Sequence, residues 1–313
     1  MATVTTRPPG LRGYDARWTD ATGTALVGPD GATIPVAGAI PLTIINTGAF
    51  VVDGSSGPSS PGAGSYQTAI GYQAGVNLTT GYQTAIGDAA GYSNTSGNQT
   101  AIGHAAGYSN TTGDQTAIGH AAGYYNTTGQ QTAIGHVAGY FNTTGVQTAI
   151  GHYAGHANTT GQQTAIGHAA GYYNTTGQQT AIGHVAGYFN TTGNQTAVGY
   201  SAGYSNTTGI QTAIGHLAGY YSTGSRITVV GAEAGKDLTT GNNVTIVGEH
   251  PGAAGLADAL ILATGTTARI RYDTTDGYQF DSMAPAVSAS TASTHKIPIK
   301  IGGVTYNLLA TTA

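Results

Sequence analysis

An isoleucine or valine returns every sixteen residues along most of this chain. The column runs Ile70, Ile86, Ile102, Ile118, Ile134, Ile150, Ile166, Ile182, Val198 and Ile214, and Val230 continues it across an altered turn. A looser copy ends at Val247, one residue late. About twelve copies therefore fill roughly residues 65–250 of the 313. A strict short period means a stack of like units, none large enough to fold alone. Sixteen residues are too few for a helix pair or a propeller blade. Glycine recurs three times per unit, as at Gly167, Gly171 and Gly177, and again at Gly183 in the next, which leaves no length for a helix between breaks. At about 3.3 Å per residue, one unit is a loop of roughly 50 Å, enough for two short strands and two turns. QTAIG predicts one strand and the HAAGY segment a second. NTTG predicts the return turn, because Asn and Gly tolerate left-handed backbone. The fold class expected is all-β: a parallel β-solenoid of about twelve 16-residue coils. Rising ~4.8 Å per coil, these make a rod section of about 55–60 Å.

Composition narrows the class further. Charged residues are 7% of the chain, and between Pro58 and Ser225 the only ones are Asp88 and Asp114. Disordered chains are charge-rich and poor in bulky apolar residues, whereas this one repeats Ile, Val and Tyr. The formal net charge of −4 gives no footprint for nucleic acid. There is no Cys, so neither disulfides nor thiolate metal sites contribute. The start, MATVTTRPPGLRGYDARW, lacks the apolar core of a secretory signal, and no run approaches 18 apolar residues. The expectation is a product of a cytoplasm with no membrane partner.

Neighbours in a strand face opposite ways, so Ala165 and Ile166 cannot both point into one small coil. A strand apolar on both faces needs cover on both. The larger residue suggests the interior: Ile166 with the recurring Ala170 column would fill the coil. The Ala165 column would then meet a symmetry mate, small side chains suiting close approach around a three-fold axis. A homotrimer follows from that assignment.

Repeated TAIG-x-x-AG units resemble the left-handed parallel β-roll of trimeric autotransporter adhesin heads, whose shorter repeats carry an AIG core. The longer form with an NTTG turn is similar to repeats of bacteriophage and marine-virus fibre proteins. The resemblance covers about residues 65–250 and implies a left-handed roll, a trimer, and an Ile column inside each coil. It implies no particular receptor. Autotransporters require an export signal and a membrane-anchoring barrel segment at the C-terminus, and neither is visible. The end, STHKIPIKIGGVTYNLLATTA, instead resembles terminal segments of small phage virion proteins.

The chain divides accordingly. Residues 1–53 read as an N-terminal attachment module, 54–64 as a Gly/Ser/Pro linker, 65–250 as the rod, 251–283 as a β cap, and 284–313 as a linker and C-terminal β tail. The function expected is a structural virion fibre of a bacteriophage, on tail or capsid, that projects from the particle and attaches to the host surface. Its partners would be its own copies, other virion proteins and host surface glycans. The alternative is a bacterial cell-surface trimeric adhesin or matrix protein.

No catalytic or cofactor-binding residue is assigned. A histidine column, His104, His120, His136, His152, His168, His184 and His216, is the one candidate metal ladder. Tyr72, Asp88 and Tyr200 occupy the same place in other coils, which suits stacking better than a strict ligand set. Thr–Thr pairs such as Thr175–Thr176 are adjacent and lie in a turn, so they do not form a flat ice-binding face. Asn174 and Gln179 recur in register and predict amide ladders between coils. Asp88 and Asp114, the only Asp between Pro58 and Ser225, are too few for calcium-binding repeats, and no paired carboxylates or Ser/His/Asp set points to an enzyme. The column Ser109, Tyr125, Phe141, Ala157, Tyr173, Phe189, Ser205, Tyr221 varies freely, which predicts exposure. Its aromatics could stack on sugars or on one another.

Overall fold

A computed structural model describes residues 66–273 throughout. Beyond them it describes the backbone of the short strands Arg17–Trp18, Ala25–Val27, Thr33–Pro35, Leu42–Ile45, Ala49–Val52, Gly277–Gln279, Lys296–Ile301 and Val304–Leu309. The expected linker at 54–64 and the start of the terminal segment, 284–295, lie outside the described residues.

The described residues contain no helix and form a parallel β-solenoid of twelve turns. Twelve strands, from Tyr66–Ile70 to Asn242–Val247, stack in parallel along one wall. Gln163, Thr164, Ala165 and Ile166 pair with Gln179, Thr180, Ala181 and Ile182, a register of sixteen that holds coil after coil. A second wall is a parallel sheet of nine two-residue strands, Asn77–Leu78 to Ser205–Asn206. This second strand falls on Tyr173–Asn174, one step beyond the HAAGY segment where the sequence placed it. The GHAAG segment is a turn because Gly167, Ala169 and Gly171 all have positive φ, at 132°, 49° and 54°. Gly167 has no substitute there, since a Cβ would stand 2.4 Å from the Gly183 carbonyl oxygen of the next coil.

Neither end of the long sheet is left as a bare coil edge. Ala49–Val52 pairs in parallel with Gln67–Ile70 and antiparallel with Leu42–Ile45. At the other end Ala257–Thr264 continues the parallel stack, then pairs antiparallel with Thr267–Asp273. Such pairing blocks the end-to-end addition that open strands invite.

The interior reverses the expected facing. Ala165 is wholly buried while Ile166 is 37% exposed, and the same holds in nearly every coil. The coil is filled by Ala165, Ala170, Gln163 and Asn174, and the Ile column stands outside it. The cause is the width of the coil. A Cβ on Gly171 of the facing segment would lie 3.1 Å from the Ala165 Cβ and 2.5 Å from Gln163 Nε2. Walls this close leave no volume for an Ile side chain. Alternation then sends Thr164 and Ile166 outward together.

The buried amides run as two ladders, as their register suggested. Gln163 Nε2 donates to the Gly171 carbonyl at 2.6 Å and to Gln179 Oε1 at 2.7 Å. Asn174 Nδ2 donates to the Gly177 carbonyl at 2.9 Å and to Asn158 Oδ1 at 3.0 Å. Each Gln donates to the following coil and each Asn to the preceding one, so the amide dipoles of the two columns oppose. The first acceptor, Gln67 Oε1, is left buried with no donor. Past Gln211 the interior becomes aliphatic, with Ile227, Val229, Leu238, Val244 and Ile246, and the step from Val230 to Val247 lengthens to seventeen residues.

Candidate functional site

With Gln, Ala and Asn committed to the interior, the outer surface of the rod consists of columns. Thr164 and Ile166 line the outside of the first wall, and the residue before the Gln, Gln162 in this coil, runs beside them. A groove follows the Thr column along the rod, lined in turn by residues such as Asn98, Asp114, Gln130 and Val146. Ile150, Ile166 and Ile182 are exposed by 37–38%, an apolar ridge with a side chain in every layer.

The histidine column lies at the edge of this wall. His104, His120, His136, His152, His168, His184 and His216 are exposed side chains. The first six stack ring on ring, with centroids 4.8–5.0 Å apart. Tyr200 stands between His184 and His216, at 4.9 and 5.4 Å, and keeps the stack unbroken. Reduced hydration between rings, with the charge that His136 and His168 would carry, holds His152 below its ordinary pKa. Among the described residues no group of three His, Asp or Glu side chains is placed to hold a metal ion.

The second wall carries a double aromatic column. The inner file runs Tyr92, Tyr108, Tyr124, Tyr140, His156, Tyr172, Tyr188, Tyr204 and Tyr220, stacked at 4.5–5.4 Å. Burial raises the pKa of Tyr124, Tyr140, Tyr172, Tyr188 and Tyr220. The outer file is the freely varying column of the sequence, and its aromatics are exposed as expected: Tyr125, Phe141, Tyr173 and Phe189 by 39–44%. Each outer ring meets its inner neighbour edge to face, as Tyr140 meets Phe141 at 82° and Tyr172 meets Tyr173 at 78°.

His156 belongs to the inner file and was not singled out in the sequence, because it breaks the Tyr column in one coil only. Burial lowers its pKa, and its Nδ1 is buried without a hydrogen-bond partner. The same coil carries Tyr153 at a positive-φ position (55°) held elsewhere by smaller residues such as Ala169 and Val185. A longer period also emerges on this wall. Residues 125–140 and 173–188 are identical, and the outer file reads small, Tyr, Phe over successive coils from Ser109 to Tyr221. The outer file thus repeats every three coils, while the interior repeats every one.

Comparison with known proteins returned no match: no family model, no curated protein and no solved structure is similar to this chain.

Proposed function

We propose that this chain is a structural fibre of a bacteriophage virion, on tail or capsid, working as a homotrimer that holds a host-attachment end away from the particle. The observation that carries the reading is the outward Ile column. It presents an exposed apolar side chain at every ~4.8 Å along the rod, on a surface almost free of charge. A partner that packs on such a ridge in every layer needs the same axial repeat, and another copy of this chain has it. Identical neutral faces meet no like-charge repulsion, and closed cyclic symmetry is the usual result of such pairing. The subunit contact is therefore Ile with Thr, in place of the Ala contact suggested by the sequence.

A stack of in-register amides and small side chains resists bending without ion pairs, which suits a mechanical spacer. The virion assignment itself rests on the resemblance of the TAIG-x-x-AG and NTTG repeats to phage fibre repeats. An antibody to the chain should label purified phage particles in electron micrographs. Labelling of bacterial envelopes and not of particles would favour the surface-adhesin reading and overturn this one.

A further inference from the structure

We propose that the second wall carries two built slots for a single flat aromatic ring, one over Ala157 and one over Ser205. In the outer file, Tyr125 and Phe141 stack at 5.2 Å, and Tyr173 and Phe189 at 5.3 Å. Between these pairs stands Ala157, whose side chain ends at Cβ. Phe141 and Tyr173 are two coils apart, so their ring centres lie roughly 10 Å from each other. A ring midway would sit about 5 Å from each wall, inside the range at which aromatic rings attract. That is also the pitch of the intact pairs.

The floor of the slot specifies the ring further. His156 lies beneath it, 6.0 Å from Phe141 and 6.5 Å from Tyr173, and stands at 83° and 79° to them. A ring parallel to the two walls would meet His156 edge to face. It would then make two stacked contacts and one edge contact, one stacked contact more than Tyr173 makes with Phe189 inside the file. The second slot repeats the arrangement. Tyr204 lies 5.8 Å from Phe189 at 86° and 6.2 Å from Tyr221 at 85°, with Ser205 between the two. Ser109 makes no third slot, because Ser93 leaves its other side without a ring. A puckered sugar lacks the flat faces that both walls present, so the ligand class is a planar aromatic ring.

The probe is p-cresol, observed by saturation-transfer NMR with the full chain and with methyl glucoside in parallel. The unaltered chain should transfer saturation to p-cresol and not to the sugar. Ala157→Phe should lower the transfer about two-fold, and the double variant Ala157→Phe, Ser205→Phe at least ten-fold. Phe already occupies this file at positions 141 and 189, so both variants should fold, and each added ring should raise the melting temperature. Undiminished transfer in the double variant, equal transfer to methyl glucoside, no transfer with the unaltered chain, or a lowered melting temperature in Ala157→Phe would each overturn the proposal. A short peptide carrying one Tyr, run beside p-cresol, separates the two sources of the ring. Transfer to both supports a protein side chain as the natural occupant, and transfer to p-cresol alone supports a small molecule.

Discussion

Gln163 is bound on three sides: it accepts from Gln147 at 2.7 Å and donates to Gly171 and to Gln179. Replacing it with Leu keeps the bulk but orphans a buried N–H and two buried acceptors, each costing about 1–3 kcal/mol. The urea midpoint of Gln163→Leu should drop well below that of Thr164→Val, a change on the outer face; equal midpoints would contradict a satisfied ladder. Ala165→Ile tests the facing itself. It forces an extra bulk into a closed space and should cost about 1–3 kcal/mol or more, whereas Ile166→Ala should change the single coil stack little. His156 adds a pH dependence. Its folded pKa is depressed, so below the ordinary value of about 6.5 the unfolded chain binds more protons than the folded one. Its stabilising contribution is present above that pH and lost as pH falls. The melting temperature should decline from pH 7.5 to 5, and His156→Tyr, which restores the file, should flatten part of the decline. An identical decline in the variant would remove His156 as a cause.

Each coil is an exchangeable element because the strand register and both amide ladders that join it to its neighbours repeat every sixteen residues. Deletion of residues 163–178 would bring Gln147 against Gln179 and Asn158 against Asn190, leaving both ladders intact. Such a chain should melt within a few degrees of the parent and keep its β circular-dichroism spectrum. Deletion of residues 163–170, half a coil, would set strand against turn and should abolish cooperative melting. If both deletions behave alike, register is not what holds the stack. The coils from Ile227 onward are a different element. Their aliphatic interior supplies hydrophobic burial where the amide column ends, and their charged groups, such as the Glu233–Lys236 ion pair, reappear where the neutral surface ends.

For the whole molecule, the proposed assembly rests on the neutral rod and its apolar ridge. Asp placed at Ile118, Ile150 and Ile182 would put like charges opposite one another in any symmetric contact through that ridge. Sedimentation equilibrium should find the parent chain as a trimer and this triple variant as a monomer with an unchanged β spectrum. A parent that sediments as a monomer would remove the proposed assembly outright. The aromatic wall has its own surface period of three coils, about 14 Å, and is therefore suited to contacts distinct from those of the ridge.

The period and the residue types alone dictated a great deal. Sixteen residues punctuated by three glycines admit two short strands and two turns, and in-register Gln and Asn can only ladder when coils stack. What the sequence could not dictate was which face of the strand is inside. Alternation says that Ala165 and Ile166 point opposite ways, but size preference favoured Ile for the core, and the resemblance pointed the same way. Only the separation of the two walls decides, and that distance is a tertiary quantity. It is set by Gly171 and its equivalents approaching Gln163 and Ala165 so closely that a methyl fills the space. The aromatic slots were hidden for the same reason: Ala157 reads as one more variant of a tolerant column until Phe141, His156 and Tyr173 are placed around it.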